Sequence, residues 1–115
     1  MKTSTIKKWT KALRSGKYKQ ATGALQTNEG FCCLGVACKV FIPEGKLMID
    51  QDTGNLNGGL PAGNQPYAPQ WLDDINFNLS MLTGIQVYQL NDHLGMNFDE
   101  IADVLEAVYI HKVLE

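Results

Sequence analysis

At 115 residues, 44% of them hydrophobic and 19% charged, the chain is long enough to close one core, too short for two, and too apolar to be a disordered segment. No apolar run approaches the roughly 20 residues that cross a bilayer, and the amino terminus is Lys-rich and amphipathic rather than a basic stretch leading into an apolar one, which points to a cytosolic type of protein. The formal charge of -2 conceals an asymmetry: residues 1–28 hold Lys2, Lys7, Lys8, Lys11, Arg14, Lys17 and Lys19 and no acidic residue, whereas the rest holds three basic and twelve acidic residues, so the amino-terminal segment either meets an anionic partner or pairs internally.

In chain order, Ser4 or Thr5 is placed to cap a first helix. Ile6, Trp9 and Leu13 form its core face, and Gly16 offers a left-handed stop after about Ser15. Lys7, Lys11 and Arg14 align at spacings of four and three, a cationic stripe along a second face. Residues 21–25 and 31–33 read as two short strands joined by the polar run Gln26-Thr27-Asn28-Glu29-Gly30. Leu34, Ala37 and Phe41 then predict a short buried helix ending before Pro43, in which Gly35 permits close approach of another backbone or a ligand.

Residues 43–70 contain all four prolines and five glycines, and read as an irregular insertion or lid with a turn at Asp52-Thr53-Gly54-Asn55. The run Asp50-Gln51-Asp52-Thr53-Gly54-Asn55 fails as a calcium loop, because glycine stands fifth rather than sixth and Pro61, the twelfth residue, occupies the place of the bidentate glutamate. Ile75, Phe77, Leu79 and Met81 alternate with polar residues as in a half-buried strand. Val87, Leu90 and Leu94 suggest a short helix ended by Gly95. Asn97 and Glu100 form a capping box for a last helix with Phe98, Ile101, Leu105 and Val108 on its core face and Asp99, Asp103 and Glu106 on another. The expected fold is therefore a single α+β domain over 1–115, three or four helices packed with a small antiparallel hairpin and a long Pro/Gly-rich loop.

Tyr109, Ile110, Val113 and Leu114 add apolar surface beyond that core stripe, which predicts a homodimer through the carboxy-terminal helix. The alternative is that the first helix covers this surface, with Lys7, Lys11 and Arg14 facing Asp99, Asp103 and Glu106.

Chemistry-bearing motifs are sparse. Cys32, Cys33 and Cys38 are odd in number and lack a second close pair, so they read as reduced, buried thiols rather than a disulfide framework or a zinc site, and no metal or cofactor is expected. No phosphate-binding glycine loop of the ATPase or dinucleotide type is present. Asn91-Asp92-His93 and Asp73-Asp74 carry polar groups without a nucleophile motif, so catalysis is not expected. The segment Arg14, Lys17, Tyr18 and Gln20 is different: cations suit phosphate oxygens, Tyr18 offers a stacking face and Gln20 matches the edge of a heterocycle. Asn91 and Asp92 are candidates to join them at a ligand.

Arg14-Ser15-Gly16-Lys17-Tyr18-Lys19-Gln20, Gly23-Ala24-Leu25, Phe31-Cys32-Cys33-Leu34-Gly35-Val36, Leu90-Asn91-Asp92 and Phe98-Asp99-Glu100-Ile101-Ala102-Asp103 resemble a pattern found in small proteins of tailed bacteriophages. The resemblance implies a context, the cytoplasm of an infected bacterium, and not a reaction. By analogy with phage proteins of this size, the expected role is sequestration of an anionic, nucleotide-type host immune signal, with inhibition of a host protein by surface contact as the alternative. Nucleic acid is a less favoured partner, because only the first helix is basic.

Overall fold

Ile6, Trp9 and Leu13 recur at helical spacing with lysines between them, and this pattern yields an amphipathic helix, α1, over Thr3–Arg14. The computed structural model describes residues 3–42, 52–53, 55–56 and 84–111. Within these, α1 is followed by a two-stranded antiparallel sheet, β1 (Gln26–Thr27) and β2 (Gly30–Phe31), and by α2 (Cys33–Phe41), α3 (Val87–Asp92) and α4 (Phe98–Tyr109). Four helices and a small sheet make the fold α+β. No helix among the described residues is long and apolar enough to cross a membrane.

The helices enclose one core. Ile6, Trp9 and Leu13 of α1 meet Val36 and Ala37 of α2, Val87 and Leu90 of α3, and Phe98, Ile101, Leu105 and Val108 of α4. Burial of each large apolar side chain contributes about 1.5–3 kcal/mol. Trp9 is fully buried, and its indole N–H donates to the Cys33 carbonyl at 3.1 Å, so the ring enters the core without an orphan donor. The most extensive helix contact joins α1 to α4, and α1 also packs on α2.

The cap of α4 follows the local sequence, whereas Ser4 and Thr5, expected to cap α1, lie inside a helix that already includes Thr3. Asn97 and Glu100 bond reciprocally, the Glu100 N–H donating to Asn97 Oδ1 at 2.8 Å and the Asn97 N–H to Glu100 Oε1 at 3.0 Å. An unforeseen cap is Cys32, whose Sγ accepts from the Gly35 N–H at 3.4 Å to start α2. Gly35 is required where it stands, because a Cβ there would overlap the Leu25 carbonyl oxygen.

Three further local expectations are corrected. Residues 21–25 form no strand, and the polar run expected as a turn supplies both strands: Thr27 pairs with Gly30 and Gln26 with Phe31, leaving Asn28-Glu29 as the turn. The reason is that Phe31 already serves residues 19–21, its N–H donating to the Lys19 carbonyl and its carbonyl accepting from the Ala21 N–H, each at 2.8 Å. Cys33, expected in the second strand, belongs to α2. Leu94 is no core residue but 54% exposed. Past His93 the Leu94 N–H turns back to the Gln89 carbonyl and the Met96 N–H to the Leu90 carbonyl, so Met96 packs on the core instead.

Of the insertion 43–70, only 52–53 and 55–56 are described; the strand expected at 75–81, and Val113 and Leu114, lie outside the described residues. Leu56 is buried with Cys38 and Ile42, its N–H donating to Gln26 Oε1 at 2.9 Å. Tyr109 and Ile110 pack partly buried against the chain's own core.

Candidate functional site

The site expected from sequence lies where α1 ends. Gly16 takes a φ of +76°, the left-handed value that lets the chain leave the helix without a Cβ clash. Just before it, the Ser15 hydroxyl donates to the Ala12 carbonyl at 2.7 Å and accepts from the Lys17 N–H at 3.1 Å. The next residues are thereby directed toward α3 and α4. Tyr18 sets its ring edge-on to Phe31, with centroids 5.5 Å apart, and the Lys17 ammonium lies 5.5 Å from the Tyr18 ring centroid.

Gln20 is fixed by a network that crosses the fold. Its Nε2 donates to Asn91 Oδ1 at 2.8 Å and to the Met96 carbonyl at 2.7 Å. Asn91 Nδ2 in turn donates to the Ala21 carbonyl and to Asp92 Oδ1, both at 2.8 Å. Asn91 is 1% exposed, and both its amide nitrogen and its oxygen are engaged inside the chain. The structure therefore places Asn91 and Asp92 behind Gln20, where they hold the segment at Gln20 and Ala21 against α3, and it gives Asn91 no surface for a ligand.

Arg14, Tyr18 and Gln20 do converge. Together with Asn97, Phe98 and Asp99 they line an open depression of about 290 Å³. A second depression, of about 480 Å³, runs between α1 and α4 and is lined by Lys7, Thr10, Lys11, Arg14, Ser15 and Glu106. Arg14 belongs to both. Its Nη1 donates to Glu106 and its Nη2 to Asp103, so the cationic and acidic stripes of the two helices meet through this one residue. The Glu106 bond holds the guanidinium pKa above its ordinary value, with Asp103 adding to it and partial burial opposing. Asp103 and the Arg14 side chain are both well exposed, so these ion pairs add at most about 1 kcal/mol each to stability. Lys7 and Lys11 were legible only as part of a stripe; that they line a depression with Arg14 depends on α4 packing beside them.

Nothing in the described residues favours thiol chemistry. Cys32, Cys33 and Cys38 are reduced and buried, and burial pushes all three thiols up, that of Cys38 to about 12. Such thiols hold little thiolate at neutral pH. Among the described residues no three His, Cys, Asp or Glu side chains gather as metal ligands.

Comparison with known protein families gives a match over the amino-terminal half. The family described as a domain of unknown function, DUF8296, covers residues 1–59, more than half of the 115-residue chain and all of α1, the hairpin and α2. No curated protein and no solved structure matches the chain. By that match the chain belongs to the DUF8296 family.

Proposed function

We propose that the chain is a binding protein, not a catalyst, and that it captures a small anionic ligand of nucleotide type at the carboxy-terminal end of α1. The observation that carries this reading is the convergence of Arg14, Tyr18 and Gln20 on one depression, with Lys17 beside the Tyr18 ring. These residues offer a guanidinium for oxyanions, an aromatic surface for a base and an amide for its edge. A volume of about 290 Å³ stands just below the roughly 300–1,000 Å³ of small-molecule sites, which suits one base and sugar better than a dinucleotide. The resemblance to tailed-phage proteins supports a setting in the bacterial cytoplasm, and a host immune signal as the ligand follows by analogy with phage proteins of this size.

Arg14 is already bonded to Asp103 and Glu106, and Asp99 stands in the wall. The ligand's charge must therefore be met with help from lysines. Gln20 presents its amide with both N–H groups engaged, so its oxygen is the group suited to a base edge.

Thermal shift against cyclic nucleotides, AMP and ADP-ribose derivatives tests the proposal. A ligand should raise the melting temperature by several degrees at saturation, and Arg14→Ala and Tyr18→Ala should each weaken its capture by about 1–3 kcal/mol. If no nucleotide stabilises the protein, or both variants bind as the wild type does, the site is wrong. Inhibition of a host protein by surface contact is the competing reading, favoured by how open both depressions are and by the exposure of Lys8, Lys17 and Lys19.

A further inference from the structure

Only one α1 cation is in an ion pair among the described residues, while the Lys8 ammonium lies 5.9 Å from the Phe41 ring centroid. Arg14 is paired, whereas Lys7 and Lys11 are exposed and in no ion pair. They stand one turn apart, about 6 Å along the helix axis, as a like-charge pair that weakens the helix bearing it. Both line the 480 Å³ depression with Arg14.

The other polar groups of this depression are engaged elsewhere. The Thr10 hydroxyl donates to the Lys7 carbonyl at 3.2 Å and the Ser15 hydroxyl to the Ala12 carbonyl at 2.7 Å. The donors facing the space are thus the two ammonium groups and the guanidinium. Arg14 uses two of its five N–H groups on Glu106 and Asp103, and the remaining donors are available to a further acceptor. Three cations face the two carboxylates that hold Arg14, so the depression keeps a positive balance. Across Arg14 lies the smaller depression with Tyr18 and Gln20, where Asp99 removes that balance.

We infer that Lys7, Lys11 and Arg14 form a binding site for a phosphate-type oxyanion in the groove between α1 and α4. This rests on the reading above and deepens it: the ligand is a phosphomonoester whose ring lies beside Tyr18 and whose phosphate crosses Arg14 to reach Lys11 and Lys7. Asp103 and Glu106 compete with that phosphate for Arg14. Ligand affinity is thereby set by an exchange of acceptors on one guanidinium, and it falls steeply with salt because the charges are exposed.

Titration calorimetry at low salt, with inorganic phosphate and AMP as separate probes on the full chain, tests the site. The double variant Lys7→Ala/Lys11→Ala should weaken binding of both probes at least tenfold. Asp103→Asn, which frees a donor on Arg14, should tighten both severalfold, a gain that misfolding does not produce. Equal affinities in wild type and both variants, or no phosphate binding by any of them, overturn the site. AMP binding that ignores the lysine substitutions overturns this inference and leaves the nucleotide reading standing. Phosphate binding that obeys them without any AMP binding keeps the site and sinks the nucleotide reading. Vesicles of phosphatidic acid distinguish the source: lysine-dependent vesicle binding in place of AMP binding assigns the oxyanion to a lipid headgroup.

Discussion

Along the seam between α1 and α4 the contacts are apolar and buried, Ile6, Trp9 and Leu13 against Ile101, Leu105 and Val108. Residues 17–31, which carry Tyr18 and Gln20 of the candidate site, rest only partly buried on that core through Tyr18, Leu25 and Phe31 and are directed by hydrogen bonds: a sheet of two-residue strands, the bonds of Phe31 to Lys19 and Ala21, and the Gln20–Asn91 amide pair. The two regions meet at Arg14, the last residue of α1. The difference teaches where the stability of this chain resides and where its specificity can reside. Apolar burial is strong and non-directional, so it fixes the helices without fixing the groove, whereas amide bonds contribute less and set direction.

The comparison is broken most forcefully in the seam. Trp9→Ala removes the ring at the centre of the core and leaves the Cys33 carbonyl without its donor, and should cost about 3–5 kcal/mol, a large part of the stability of a domain this size. Urea unfolding measures it, and a loss under 1 kcal/mol would mean that the seam is not the foundation described.

A smaller effect of a different kind is expected from Asn91→Ala. It strips partners from Gln20 Nε2 and from the Ala21 carbonyl, for a cost of about 1–3 kcal/mol. Hydrogen exchange should then quicken at Ala21 and Phe31 while the amides of α4 stay protected. Uniform acceleration over the whole chain would show that the two regions are not separately held.

These two regions were not equally legible. The helical spacing of Ile6, Trp9 and Leu13, and the Asn97/Glu100 box with Phe98, Ile101, Leu105 and Val108, are patterns within one turn or two, and the helices stand where they point. The hairpin register was misread because Phe31 is shared between residues 19–21 and β1, which no local period records. Leu94 matched a helical period that the backbone abandons at His93. Within the candidate site, Arg14, Tyr18 and Gln20 could be grouped by nearness in the chain. Asn91 and Asp92 could be grouped with them only by guess, and their actual place, behind Gln20, depends on a contact 71 residues away in sequence. Lys7 and Lys11 were visible as charge but not as a groove, since α4 supplies the other wall.

The central claim is that the end of α1 receives an anionic ring-bearing ligand, and an amide NMR titration with AMP tests it most directly. The account predicts saturable shifts confined to Lys7, Lys11, Arg14, Gly16, Tyr18 and Gln20 and to the facing Asn97 to Asp99 of α4. Absence of any shift at millimolar AMP, or shifts centred on His93 to Met96 with α1 unmoved, would contradict it.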